Sequence, residues 1–328
     1  MKWSKTAWCF VLLLVCVVAG LGAVASSASA AVTPDGDVTA MLSACTQAEL
    51  QPAISDLSGA TPAIVGGVPY LITTRFAGSG TPIDKAEQYV YERLSSYGLD
   101  SVVYNDFTGA YDGRNIIGEI VGTTAPDQIV VICAHLDDKP STGLAPGADD
   151  NASGVSAVLF MARQLVDHPC ARTVRFCIFG NEENRGMGAD TYCAGRAAAG
   201  DDIVGAYNMD MLAYNNGSEL LGMHIHKKKH SLYPGDLALA QKVVDADAAY
   251  GIANVTPAIL ADANPYSDQY SFWRNGYNAI WLVDDMSRGQ WDPNNHTSAD
   301  TIGAITWTYY VAGVKATLAG AAHTALVE

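Results

Sequence analysis

"QIVVICAH", residues 128–135, runs six apolar residues together and closes on a histidine. An unbroken apolar run rich in β-branched residues is what a strand covered on both faces requires, and such strands belong to parallel sheets flanked by helices. The surrounding chain repeats that alternation. Upstream, "PIDKAEQYVYERLSSY" (82–97) sets Ile83, Ala86, Tyr89, Val90 and Leu94 on one helical face, with Pro82 at the start and Gly98 just past the end. "DSVVYND" and "NIIGEIVG" then read as strands. Downstream come a helix, "GVSAVLFMARQLVD" (154–167), stopped by His168 and Pro169, and a strand, "TVRFCIFG" (173–180). A short helix follows, "DTYCAGRAAAG" (190–200), then a strand, "DIVGAYNMD" (202–210). Two further helices are "GDLALAQKVVDADAAYG" (235–251) and "TIGAITWTYYVAGVKATLAGAAHTAL" (301–326). The order predicts a single α/β domain with a mixed, mostly parallel central sheet and helices on both faces. In such folds ligands bind beyond the carboxyl ends of the strands.

The chain has 328 residues, and its first 30 differ from the rest. Lys2 and Lys5 precede an apolar run from Ala7 to about Val24 and then "SSASAA", the pattern of an export signal cut at Ala30/Ala31. Residues 31–328 are the expected folded domain, with 31–60 read either as a propeptide or extension, or as part of the mature core. The expected location is secreted or periplasmic, with no membrane attachment after cleavage. Formal charge is -15, or -17 without Lys2 and Lys5, which argues against nucleic acid and anionic membranes as partners. Cys45, Cys133, Cys170, Cys177 and Cys193 remain after residue 30, an odd number that leaves at least one thiol outside any intrachain disulfide. Cys133 and Cys177 sit in apolar strand-like runs and read as small buried residues. Oligomeric state is left open.

The polar residues gather at the strand ends. His135 and Asp137 follow one strand, Glu182 and Glu183 of "FGNEEN" the next, and Asp210 closes a third. Asp149 and Asp150, in "APGADDNASG" (145–154), precede a helix. Two adjacent acids among small residues are either a solvated turn or a place for positive charge. All these positions fall on one rim of the sheet, where so many acids repel one another without a cation. His135, Asp150, Glu183, Asp210 and His296 of "NNHTSADT" make a carboxylate and imidazole set without thiolate, which suits catalytic zinc or a similar first-row ion. Five ligands exceed what one open zinc site uses, and they suit two ions if one carboxylate bridges. Glu182 is then the expected general base on a metal-bridged water, and the Asp137 carboxylate the expected holder of the second ring nitrogen of His135. His168, His224, His226, His230 and His323 read as surface or capping residues. The tract "HIHKKKH" (224–230) carries three lysines that oppose a cation.

Taken together, "AHLDD", "PGADDNASG", "NEEN", "NMDM" and "NNHTSADT" resemble, in order and spacing, the secreted di-zinc aminopeptidases, bacterial leucyl aminopeptidases among them. The resemblance spans residues 70–325. It implies two zinc ions per chain, one on His135 and Asp210, the other on Glu183 and His296, with Asp150 bridging and Asp149 no ligand. It implies that Asn151 and Ser153 serve the turn and cap the next helix. Three positions depart from the pattern: Asn181 where glycine is common, Gln269 of "YSDQYSFW" where histidine is common, and Asn295 before His296, which leaves Tyr266 as a loose candidate for oxyanion support.

The implied reaction is removal of N-terminal residues from peptides with a free N-terminus. Met211, Tyr266, Phe272 and Trp273 are the expected walls of a pocket for a Leu- or Phe-like side chain. Rival readings on the same scaffold are a carboxypeptidase, with Arg185 and Arg288 as carboxylate anchors, and a one-zinc glutaminyl cyclase. A binding protein that kept the fold and lost the chemistry is the remaining alternative.

Overall fold

The structure is a computed structural model and describes residues 32–139, 144–228, 231–284 and 292–328. The elements are α1 (Gly36–Ala44), α2 (Gln47–Leu57), β1 (Ala63–Val65), β2 (Val68–Tyr70), α3 (Thr81–Ser95), β3 (Ser101–Phe107), β4 (Gly113–Ile120) and β5 (Ala125–His135). After a turn at Ala148–Ser153 follow α4 (Gly154–Leu165), β6 (Arg172–Phe179), α5 (Met187–Ala199), β7 (Asp202–Met209), β8 (Leu220–His224), β9 (Lys227–Lys228) and β10 (Ser231–Leu232). The chain continues through α6 (Pro234–Tyr250), β11 (Thr256–Leu260), α7 (Gln269–Arg274), β12 (Ala279–Asp284) and α8 (Trp307–Ala325).

Eight strands form one sheet in the order β11-β8-β12-β7-β5-β6-β4-β3. Strands β12, β7, β5 and β6 run parallel. Antiparallel pairings of β12 with β8 and of β6 with β4 lead out to the edges. The sheet is thus mixed, with a parallel centre. The run that opened the sequence reading accounts for that centre. In β5, Val130, Ile132 and Ala134 face the larger core cluster, while Ile129, Val131 and Cys133 face the smaller one. Alternate residues of one continuous apolar stretch therefore fill two layers, as a doubly covered strand requires. Residues from α1, α2, α3, α4, α6 and α8 join the larger cluster; α5 and α7 supply Ala189, Tyr192, Cys193, Phe272 and Trp273 to the smaller. From β5 the chain crosses through α4 to β6 on one side, then through α5 to β7 on the other. This reversal opens a crevice at the carboxyl ends of three strands.

The expected helix over 82–97 is α3, and its five apolar-face residues are buried. Two boundaries differ from the sequence reading. Helix α5 begins at Met187, before "DTYCAGRAAAG". The segment 301–326 is not one helix: a single 3-10 turn at Ile302–Ala304 precedes α8. The Thr306 amide donates to Ala213 O at 2.8 Å, so the chain is tied to the loop after β7 and enters α8 only at Trp307. Residues 1–30, read as an export signal, lie outside the described residues. The segment left open between propeptide and mature core folds as α1 and α2, with Val38, Met41, Leu50, Ile54 and Leu57 in the larger core cluster. Cys45, Cys133, Cys170, Cys177 and Cys193 are all buried and free.

Candidate metal centre

Five separate segments deliver the five candidate ligands to the crevice. His135 ends β5; Asp150 lies in the turn before α4; Glu183 follows β6; Asp210 follows β7; His296 lies between β12 and α8. Their donor atoms fall into two sets, His135 with Asp150 and Asp210, and Asp150 with Glu183 and His296, each within 4.8 Å. Asp150 belongs to both. Its Oδ1 is 3.4 Å from His135 Nε2 and its Oδ2 is 3.1 Å from His296 Nε2. Asp210 Oδ1 stands 3.1 Å from His135 Nε2, and Glu183 Oε1 2.6 Å from His296 Nε2.

Backbone ties hold this arrangement. The Asp149 and Asp150 amides donate to the two oxygens of Asp300, at 2.8 and 2.9 Å. Asn151 accepts from the Gly154 amide at 2.9 Å and donates to Met209 O at 2.9 Å, joining the first turn of α4 to the end of β7. The cap on α4 is thus Asn151. Ser153 does not cap it; its hydroxyl donates to Asp149 O at 2.7 Å and accepts from the Leu212 amide. Asp149 makes a separate tie, its Oδ1 accepting from the Ala213 amide at 2.7 Å. Asn295, next to His296, donates to Asp150 Oδ2 at 2.7 Å.

The part expected of Asp137 is corrected. Its backbone carbonyl, not its carboxylate, meets His135 Nδ1, at 3.0 Å against 3.9 Å. The carboxylate instead accepts the amides of Glu182 and Glu183, at 2.8 and 3.3 Å. Asp137 therefore serves both strand ends, fixing the ring by its main chain and the glutamate pair by its side chain.

Arg75, fully buried, was not legible as a site residue. Its guanidinium donates to the carbonyls of Leu57, Leu136, Pro146, Gly147 and Asp150. Burial lowers its pKa, which the surrounding Asp138, Asp300, Asp150 and Asp137 counteract. Asp300 was not legible for another reason: it stands in the same "NNHTSADT" stretch as His296, where nothing shows that its carboxylate will accept the amides of Asp149 and Asp150.

Electrostatics test whether the donor set fits cations. Burial pushes Asp268 and Asp138 up to about 8, and nearby carboxylates add to the shift. Burial also raises the Glu182 carboxyl well above the usual range; His135 opposes this, while Asp268, Asp210 and Glu183 reinforce it. For His135, burial disfavours the charged ring, but Asp210, Glu182 and Asp150 outweigh it and hold its pKa well above the ordinary value. Both oxygens of Asp268, one of Asp149 and one of Asp138 are buried without a hydrogen-bond partner. A rim of carboxylates in this condition lacks positive charge. Two triads of hard oxygen and imidazole donors sharing one carboxylate fit a pair of divalent first-row ions.

A cavity of about 580 Å³ opens beside the centre. Glu182, half-buried, lines it next to the ligands. Buried Met211 and Trp281 and exposed Tyr266 are also part of the lining. Of the expected walls, Met211 and Tyr266 are in place. Phe272 and Trp273 are not, because they turn into the smaller core cluster. Arg185 lines the cavity; Arg288 lies outside the described residues.

The departures from the expected motifs have local explanations. Asn181 has φ +57°, a conformation that asparagine tolerates nearly as glycine does, and its amide donates to Tyr111 O. Gln269 is fully buried and ties the loop to Asn264 O at 2.7 Å, away from the cavity. His224 is buried rather than superficial, its Nδ1 2.9 Å from both Asp262 oxygens and its ring stacked on Trp281. His226 stacks against Tyr233 and Trp273, and His230 lies outside the described residues.

Comparison with known proteins gives a consistent picture. The sequence pattern of peptidase family M28 matches residues 115–319. Leucine aminopeptidase 1 of Arthroderma otae is 28% identical over 212 residues, 62% of this chain and 55% of the relative, so the chain spans little more than half of that protein. The LapA aminopeptidase of Legionella pneumophila superposes with a TM-score of 0.72 at 17% identity, over 98% of this chain and 80% of that one. A glutaminyl cyclase of Macrostomum lignano also gives 0.72, at 16% identity, over 92% and 96%. These two structural likenesses establish the fold.

Proposed function

Because the chain belongs to peptidase family M28, we propose that it is an exported metallo-aminopeptidase that removes N-terminal residues from peptides with two zinc ions. His135 and Asp210 would hold one ion, Glu183 and His296 the other, with Asp150 between them. One observation carries the two-ion reading above the one-zinc cyclase: Asp150 turns one oxygen toward each histidine, so the two candidate triads share a single carboxylate. A one-zinc cyclase does not need that sharing. Export is proposed on the pattern of residues 1–30 alone.

When bound, the ions supply Lewis acidity toward the scissile carbonyl and acidify water. Glu182, facing the cavity beside both triads, takes a proton from the attacking water on its carboxylate and delivers it to the departing amine. Asp137 orients this base by fixing the Glu182 amide. The acidic side of the cavity, Glu182 with Asp210, receives the substrate's N-terminal ammonium. Met211 and Trp281 offer apolar surface to the first side chain.

The deciding experiment is mass spectrometry of one peptide with an N-terminal Gln, a Leu-rich body and free ends, incubated with zinc-loaded protein with and without chelator. Chelator-sensitive shortening from the N-terminus is the expected result. Shortening from the C-terminus would instead make the protein a carboxypeptidase, and loss of ammonia without shortening a cyclase.

A further inference from the structure

In a cavity whose metal-facing side is acidic, two arginines, Arg185 and Arg274, are the only Lys or Arg side chains in the lining among the described residues. Their circumstances differ. Arg274 Nη1 is bound to Asp190, at 2.9 and 3.3 Å from its two oxygens, and the guanidinium stands over the Tyr270 ring. Asp190 is held in turn by the Ser271 hydroxyl at 2.7 Å. Arg274 is thus a fixed donor group whose charge is largely matched. Arg185 is exposed, with no ion pair or hydrogen bond to its side chain among the described residues. It lies within the turn closed by the Gly186 amide on Glu182 O, at 2.8 Å, with φ +73°. A long side chain seldom adopts that backbone conformation, and such exceptions concentrate at binding sites.

Charge then indicates what belongs there. Two bound ions would meet the candidate ligand carboxylates, and Arg274 meets Asp190, which leaves Arg185 as a surplus positive charge on the cavity wall. A peptide brings an ammonium at one end and a carboxylate at the other. The ammonium goes to the acidic side. Arg185 follows Glu183 by two residues, so their Cα atoms are at most about 7 Å apart. An extended dipeptide spans about 7 Å and a tripeptide about 10 Å on the same measure. A cavity of about 580 Å³ suits occupants of that size.

We propose that Arg185, backed by the fixed Arg274, anchors a carboxylate on the leaving side of the scissile bond, so that the preferred substrates are di- and tripeptides with a free C-terminus. The inference rests on the aminopeptidase reading. A carboxylate side chain in a longer peptide offers the same chemistry, and the test separates the two.

The zinc-loaded enzyme is assayed for leucine release from Leu-Gly, Leu-Gly-amide and Leu-Asp-amide. The expected kcat/KM ratio of Leu-Gly to Leu-Gly-amide is roughly tenfold, as a charge-assisted contact provides. It falls toward one in Arg185→Gln, chiefly through KM, and Arg185→Lys recovers part of it. Leu-Asp-amide behaves like Leu-Gly-amide. Leucine released equally from all three by the wild type overturns the anchor and leaves the aminopeptidase standing. A wild-type ratio that survives in Arg185→Gln also overturns it. Leu-Asp-amide matching Leu-Gly overturns the short-peptide preference. Release from none of the three by protein carrying two zinc ions, or from Leu-Gly alone with both amides untouched as a carboxypeptidase would give, overturns the aminopeptidase reading, and this inference with it.

Discussion

Glu182 is tied to the fold through its amide, which donates to Asp137, while its carboxylate faces the cavity. Replacing it by Gln keeps that amide bond and the size of the side chain. Glu182→Gln should therefore retain both metals by elemental analysis yet lose about 10²–10⁴-fold in kcat, the contribution of a positioned proton carrier; near-normal turnover would remove its role as base. Asp137 is the complementary case. Both its oxygens accept amides, so Asp137→Asn sets an NH₂ group against an N–H of Glu182 or Glu183. Metal affinity should drop about 10–100-fold in chelator competition, and unchanged affinity would reduce that clamp to scaffolding. At this scale the candidate ligand set was legible because histidines and acids stood at strand ends in a spaced pattern. Arg75 was not, because a lone arginine in "TTRF" carries no sign that five carbonyls will converge on it.

Helix α3 shows how a regular element can carry a charged residue inward. Its apolar stripe buries Ile83, Ala86, Tyr89, Val90 and Leu94, and Glu87 is buried among them. Burial pushes the Glu87 carboxyl up to about 7, against the pull of Arg114, whose Nε is 3.1 Å away. The folded protein therefore binds this proton more tightly than the unfolded chain does. The associated stability is complete below the ordinary carboxyl pKa of about 4.3 and is lost as pH rises through about 7. Glu87→Gln carries no such proton, so its Tm relative to wild type should rise between about pH 4.5 and pH 7 and then level off; a difference that is flat across this window would contradict the shift. The helices and central strands were legible from their periodicity. The break before α8 was not, since it depends on Thr306 bonding to Ala213, a partner almost a hundred residues away. Periodicity reports faces, and it is silent about which amides leave the ladder for a tertiary tie.

For the whole molecule, the fold class followed from one apolar strand and the alternation around it, because a doubly covered strand admits few layer arrangements. The crevice followed from the reversal of strand order beside β5. Several layers of the protein end at this one place, so metal occupancy should register globally. Ions bound only by the folded state add stability as their concentration exceeds their Kd, and they offset the mutual repulsion of buried carboxylates. Chelation should lower Tm by several degrees, and added zinc should restore it. A Tm indifferent to chelator, in protein shown to have lost its metal, would mean that the acidic rim is stable unaided.

Arg75 has a consequence for how the chain can be processed. Its Nη1 holds Leu57 O, at the end of α2, while Nη2 holds the Gly147 and Asp150 carbonyls beside the carboxylate shared by the two candidate triads. Leu50 O accepts from Ser156 on α4 as well. A protease that cut the chain after residue 60 and let the fragment go would strip the guanidinium of one acceptor and uncover the turn that carries Asp150. Any trimming of the chain is therefore expected to stop short of α2, which N-terminal sequencing of the active protein checks. Of the two descriptions of residues 31–60, the stretch from 47 to 57 packs like mature core, its apolar residues shared with the larger cluster and its end set against the turn that carries Asp150.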